Sequence, residues 1–534
     1  MQKKSTRNAL MILCLFILLF SSDLYAVKMP SKIPEIKILV AQYSSNSLEF
    51  VMPEGGTWSL GNADHGEILP GVTYTITGKL LTPAQRKYHL MVATVDIMDD
   101  GRLVDITEKY QKLGYRTHNI CVGEMPRHAG MPDNRVIHIG IDCFNDKEKA
   151  EKKKAELALK QVKTWIYIEN IINSSGSIAL SGNKQNFTGS IGGSEGYTLR
   201  SKKGTILKNV EHSKGYSWHG FENRTYFGDL KVNFGFDDCI DCVETTNLES
   251  LLVGVVPSEI SSKAPKAAME AQAVAARGEI LSKKGLRHVN SGYDFCSEQH
   301  CQVYKGFQKI SPTIAEKIKD TVGEILMMKD ANKILDAVYS SNCGGHSSAN
   351  QNIWIGFPNP HLQGVSDEKK QTKRDLTNEA EVKKYITNPP VSWCGIKGYE
   401  GASKYRWDKS ISKDEWKKIE NKLEIGKIKK VEVIKRDVSG RIFEMKLSGD
   451  KESKVIINEL EIRQLFGGLR SSCFIADYKK DKNGYIISAE LKGAGFGHGV
   501  GMCQTGAQSM AGAGNLYNDI LRHYFPGARI VKLY

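Results

Sequence analysis

The sequence predicts an α+β protein, and three features of its patterning carry that prediction. Short apolar–polar alternations broken by Gly and Pro run through 36–80 and 172–245, a βαββαβ order fills 84–170, and from 246 onward helical and strand patterns are interleaved. A chain of 534 residues is long enough for two or three separate cores.

The first segment bears on compartment. Lys3, Lys4 and Arg7 precede an unbroken apolar run from Ala9 to Phe20, and small or polar residues follow up to Ala26. This is the layout of a secretory signal peptide over 1–26, too short for a comfortable membrane span. Export to the periplasm or cell envelope is expected, with cleavage after Ala26; uncleaved, the segment would be an N-terminal membrane anchor. A lipoprotein signal through Cys14 is disfavoured, because Leu13 stands where a small residue belongs. Outside the cytoplasm a formal charge of +14 suits anionic wall polymers, or simply a Lys-rich solubilising surface, and no nucleic-acid partner is expected. Of eleven cysteines one lies in the leader, and disulfides are the default for the other ten.

The elements follow in order. Ile36 to Ala41 is an apolar strand, and Gly55-Gly56 and Pro70-Gly71 break the chain after it. Tyr88 to Asp96 reads as a strand. Gly101 to Leu113 reads as a helix with Leu103, Ile106, Tyr110 and Leu113 on one face, and Gly114 ends it. Arg116 to Gly123 and Val136 to Asp142 read as strands, Lys147 to Gln161 as a charged helix, and Trp165 to Glu169 as the last strand. Tyr226 to Phe234 is a clear strand further on. Thr246-Asn247-Leu248-Glu249 has the pattern of a capping box opening a short helix that Pro257 should end. Ser262 and Pro265 open a second helix, closed by Gly285. Its small face (Ala267, Ala271, Val274, Ala275, Gly278) lets another element approach closely and implies burial.

Several strings carry a resemblance. LESLLVGVVPSEI (248–260) runs into PKAAMEAQAVAAR (265–277); YDFCSEQHCQVYKG (293–306) follows; GAGFGHGVGMCQTGAQSMA (493–511) is succeeded by ILRHYFPGARI (520–530). With AVYSSNCGGHSS (337–348), these strings resemble the SpoIID/LytB family, which comprises a sporulation lytic transglycosylase and the amidase enhancers. The resemblance implies a SpoIID domain assembled from 36–80 and 172–534, its motif-bearing core at 226–534. The βαββαβ stretch at 84–170 resembles a SPOR module, which binds glycan strands stripped of stem peptides and would present one sheet face to the polymer; ferredoxin-like modules share the same order.

Cleaving a β-1,4 glycosidic bond requires a carboxylic acid to protonate the leaving oxygen. A lytic transglycosylase manages with one, because the nucleophile is the 6-hydroxyl of muramic acid and the same group then accepts its proton. The resemblance places this residue at Glu259. Just before the second helix it would feel a positive helix end, which favours the carboxylate, whereas an apolar cleft wall would raise its pKa. Taken alone, Glu259 also reads as a helix-capping carboxylate. The implied function is cleavage of MurNAc–GlcNAc bonds, in strands denuded by amidases, to leave 1,6-anhydro-MurNAc ends. The alternative is a non-catalytic wall-binding protein that stimulates an N-acetylmuramoyl-L-alanine amidase.

The glycine-rich string has no Lys-Ser/Thr pair after it and no βαβ frame, so it is not a phosphate loop. In the resemblance it lines the cleft, with Gly497, His498, Gly499 and Gln504, and Tyr339 and Ser340 from the fourth string, as substrate contacts; His498 and Gln504 would alternatively tie the loop together. Cys503 and Thr505 depart from the family pattern, where Ser and Tyr are common. Cys296, His300 and Cys301, with His288 upstream, have ligand types and spacing for a structural zinc, and a Cys296–Cys301 disulfide is the rival. The reaction itself requires no cofactor. Cys239-x-x-Cys242 reads as a tight disulfide or two separate bridges, and Cys343, Cys394, Cys473 and Cys503 as bridge partners. Thiol catalysis by Cys343 with His346, or Cys503 with His498, finds no support in the surrounding strings.

Overall fold

The computed structural model describes residues 32–534 except 62–63, 127–129, 184, 193–194, 215–218, 299, 308–311, 355–356 and 371–373. The leader 1–26 lies outside the described residues. Helices and strands build an α+β fold in which two large sheets and a group of helices share the main core.

The first strand, Glu35–Tyr43, alternates exposed and buried residues in its first half and places Ile36, Ile38 and Val40 inside. It pairs antiparallel with Ile240–Asn247 and parallel with the two-residue strand Phe295–Cys296, at one end of a seven-stranded sheet. A six-stranded sheet includes Ser47–Val51, Thr73–Thr82, Ser175–Gly182 and Thr205–His212. Tyr226 to Phe234 is not one strand. Gly220–Tyr226 and Asp229–Phe234 belong to different sheets, and the break falls at Gly228, where a Cβ would collide with the Thr245 carbonyl oxygen.

The insertion has the expected order. Its sheet runs His118–Val122, Val136–Phe144, Gln85–Asp96, Trp165–Ile172, with helices Asp100–Lys112 and Lys147–Leu159. Leu90, Ile141 and Leu157 form its small core with Tyr110 and Ile166. Thr82 and Ser175, the flanking residues, are register partners in the six-stranded sheet, so the insertion enters and leaves at adjacent points. His89, Met91, Val95 and Ile139 are also buried, outside that core. The body of the protein touches the insertion: Asn290 donates to the Tyr167 hydroxyl and the Ile168 carbonyl, and Asn134 exchanges hydrogen bonds with the Ile334 backbone.

The helix Lys266–Lys283 is the hub of the main core. Its burial is more than a small-residue face: Ala268 to Gly278 are all buried, including Gln272 and Arg277, while Ala267 stays half-buried. Helices Leu248–Glu259, Gln504–Gly512 and Tyr517–Tyr524 pack on it. Asn247, not Thr246, caps the first of these, its Oδ1 accepting the Ser250 amide at 2.9 Å. Glu249 does not turn back to the cap. It accepts two hydrogen bonds from Arg277, at 2.8 and 2.9 Å. Burial raises the Glu249 pKa, but Arg277, Tyr534 and the Gly323 amide outweigh it and hold the group below its usual range. This contribution to stability is present at neutral pH and is lost as pH falls through the lowered folded pKa. Arg277→Ala, which strands a buried carboxylate, is expected to destabilise the protein by roughly 3–5 kcal/mol. The check is the urea midpoint; a shift of a few tenths of a molar would mean the pair is dispensable.

A separate core between the strings at 337–348 and 493–511 had no sequence signal. Within the segment expected to belong to one domain, residues 406–491 enclose a core of their own around Trp407, Trp416, Ile428, Met445, Phe466 and Leu491. Two three-stranded sheets and the helix Lys413–Leu423 build it, the helix opened by a capping box of Ser412 and Glu415. Trp407 leans on the glycine-rich string, donating from Nε1 to the Gly495 carbonyl at 3.0 Å.

Candidate functional site

Pro257 does not end its helix; it sits in the last turn, and the helix runs on to Glu259 before Ile260 turns extended. A proline there has no amide to give the Val253 carbonyl and its ring crowds that carbonyl, so the last turn of the helix carries it at a cost. Glu259 thus closes the first helix instead of preceding the second. A helix C-terminus is negative and disfavours a carboxylate, opposite to the expected effect.

Glu259 is half-buried, so part of its surface remains open to solvent. Burial, then the nearby Glu279 carboxyl, raises its pKa, while hydrogen bonds from Gln504, the Val303 backbone and Gln302 lower it; the balance leaves it at about 7. Gln302 donates from Nε2 to Glu259 Oε1 at 2.8 Å and accepts on Oε1 from the Tyr339 hydroxyl at 2.8 Å. Its amide therefore cannot flip without losing both bonds. Tyr339 also hydrogen-bonds Glu279, whose own pKa is raised by burial against the opposing pull of Lys283, and Lys283 bridges to Asp336 at 2.9 Å. The result is a polar chain from Glu259 through Gln302 and Tyr339 to Glu279.

The glycine-rich string completes this side. Tyr339–Ser340 pairs in parallel with Met502–Cys503. His498 accepts the Val500 amide on Nδ1 at 3.1 Å and bonds the Tyr339 backbone; burial, then Arg441, lowers its pKa to about 3. Its nitrogens tie the loop together and leave the ring against exposed Trp354, centroids 4.9 Å apart. Gln504 turns to Glu259 and to Gln272 (3.3 Å). Gly499 has φ +77°, and a Cβ there would overlap the buried Arg441 guanidinium, so this glycine admits a cation. Gly497, at φ +94°, lies over Ser340, whose buried hydroxyl has no partner among the described residues.

His288, Cys296, His300 and Cys301 meet on one side of this chain, their four ligand atoms all within 4.8 Å of one another. Cys301 Sγ is 3.2 Å from His288 Nε2 and 3.3 Å from His300 Nδ1, and Cys296 Sγ is 3.8 Å from His300 Nδ1. Tetrahedral zinc with ordinary bond lengths separates nitrogen from sulfur ligands by about 3.6 Å, so the donor set fits that ion. Elsewhere the expectation of disulfides fails: all ten described cysteines are free thiols. Cys242 is buried in the strand Ile240–Asn247 and Cys239 lies outside it, half-buried and directed to the Asp237 carbonyl.

Residues 237–328 match the family of the Stage II sporulation protein, SpoIID. The chain carries a SpoIID-family domain. The SpoIID match contains Glu259, Glu279, Gln302 and the whole His/Cys quartet, and residues 348–501 match a domain of unknown function, DUF8618. Stage II sporulation protein D of Bacillus subtilis (strain 168) is 28% identical over 296 residues, 54% of this chain and 75% of that protein. The amidase enhancer of the same organism is 27% identical over 298 residues, 53% of this chain but only 40% of that protein. An uncharacterized protein of Brachyspira hyodysenteriae is 28% identical over 333 residues, 62% of this chain and 77% of that one.

In the SpoIID domain, no sequence pattern singles out Glu279, Gln302 or Gln272 as part of the site. Glu279 and Lys283 do stand four apart on one helix, a spacing that signals an ion pair. Nothing in sequence joins Gln302 to a glutamate 43 residues earlier.

Proposed function

We propose that this protein is an exported peptidoglycan lytic transglycosylase acting on glycan strands stripped of stem peptides. The observation that carries the reading is Glu259, a half-buried glutamate whose pKa is raised to about 7 and whose carboxylate is aimed by Gln302. Protonated, it donates to the glycosidic oxygen as the C1–O bond breaks. As carboxylate, it then takes the proton of the muramic acid 6-hydroxyl while that oxygen bonds to C1, closing the 1,6-anhydro ring without water. Names of relatives support a wall-related role, and the word "enhancer" supports a second reading, stimulation of an N-acetylmuramoyl-L-alanine amidase. Mass spectrometry of products from purified denuded strands separates the two: anhydro-terminated fragments support the enzyme, intact strands the enhancer.

Exposed Trp354 beside His498 offers an apolar ring face suited to a sugar. Trp354→Ala is expected to raise KM for glycan strands about tenfold with kcat within about twofold, the mark of lost binding common to ground and transition states. An unchanged KM would remove Trp354 from the glycan path. The His288, Cys296, His300 and Cys301 set would hold a structural zinc, fixing the segment that carries Gln302 and taking no part in the bond-breaking step.

A further inference from the structure

Cys343, Asp367, Cys394 and Cys503 come from four separate parts of the chain and converge in the interior. All four are buried, Asp367, Cys394 and Cys503 to zero exposure, and their ligand atoms lie within 4.8 Å of one another. Cys343 follows the strand Tyr339–Ser340, Cys394 sits in the 3-10 turn Trp393–Gly395, and Cys503 ends the strand Met502–Cys503. We propose that these residues form a second metal site, a fully buried structural centre for zinc with three sulfur ligands and one carboxylate oxygen.

Three observations carry this. Cys343 and Cys394 sulfurs are 3.6 Å apart, close to the ~3.8 Å between thiolates on tetrahedral zinc and far from the ~2.05 Å of a disulfide. The Cys503 sulfur accepts two backbone amides, from Cys343 at 3.2 Å and Gly506 at 3.4 Å, which is how a protein stabilises a metal-bound thiolate and fixes its direction. Asp367 is oriented in the same way, Oδ1 accepting the Tyr524 hydroxyl at 2.6 Å and Oδ2 the Cys394 amide at 2.8 Å. Its charge needs a counterpart, and among the described residues the only ion-pair partner is His523, at 3.8 Å. A divalent ion would bind this carboxylate directly and displace the thiol protons to solvent, and the amides on Cys503 and the donors on Asp367 offset the net negative charge that three thiolates and a carboxylate leave on the centre.

The consequence lies one residue on. Cys503 precedes Gln504, which hydrogen-bonds Glu259, so the ion would clamp the 343, 394 and 503 segments and fix the turn that aims Gln504. This placement is independent of the reaction catalysed.

The test is metal analysis of the full-length chain bearing His300→Ala and Cys301→Ser, in which the other quartet is disabled. About one zinc per chain is expected to remain, and to vanish when Cys394→Ser is added. No zinc in the first variant, or zinc unchanged in the second, would overturn the proposal. If either variant folds poorly, peptide mapping of wild-type protein denatured without reductant decides. Cys343, Cys394 and Cys503 all recovered as free thiols, with about two zinc ions per chain, supports the centre. A disulfide joining Cys343 to Cys394, or no zinc beyond that held by the His288, Cys296, His300 and Cys301 set, rules it out.

Discussion

Glu259→Gln is expected to lower formation of anhydro-terminated product by about 10²–10⁴-fold, the range supplied by a positioned acid–base group. The substitution is close to isosteric. It keeps an oxygen to accept the Gln302 amide, so the polar chain through Tyr339 survives and only the titratable proton is lost. Stability should move the other way. The Glu259 pKa rises from an ordinary 4.5 to about 7 on folding, so protonation favours the folded state. That stability is fully present below pH 4.5 and is lost as pH rises through about 7. The amide of the variant carries no such penalty, so at about pH 8 the variant should be more stable than wild type by up to about 3 kcal/mol, the gap closing below about pH 5. Wild-type turnover should fall as pH rises above about 7, because the first step needs the acid form. Full turnover in the glutamine variant would move catalysis to another carboxylate or leave the enhancer reading standing.

Local patterns account for the inserted module nearly residue by residue, because alternation of period two and helical spacing are local signals and four strands and two helices follow from them. Glu259 was legible only through the string around it. By itself a glutamate after Pro-Ser resembles a helix cap, and its raised pKa depends on neighbours such as Glu279 that only folding gathers. Two local rules misled. The capping pattern at 246–249 set the helix start one residue early, and Glu249 gains more from a buried guanidinium than from its own backbone. The rule that exported cysteines form disulfides took no account of geometry. Folding gathers Cys296 and Cys301 into one ligand-like cluster and Cys343, Cys394 and Cys503 into another, and leaves the remaining described thiols outside both. The separate core at 406–491 was invisible because local patterning does not say which sheet or core a strand joins.

Purified protein is expected to carry zinc at His288, Cys296, His300 and Cys301, and the double change His300→Ala with Cys301→Ser should remove one equivalent and destabilise the fold by more than about 2 kcal/mol. The ligands span a turn and the edge strand Phe295–Cys296, which holds only two residues of sheet pairing, Ile38 with Phe295 and Leu39 with Cys296. So short a strand has little to hold it, and a tetrahedral ion joining it to His288 would supply the missing constraint. Gln302 follows Cys301 directly, so loosening the ligands should also loosen the amide that aims Glu259. A loss of turnover is therefore expected with the loss of metal, and restoring zinc to chelator-treated wild type should recover both. The double variant should not recover either. Metal-free protein with Cys296 joined to Cys301, stable and active, would defeat the zinc assignment and leave a disulfide as the brace for the same segment.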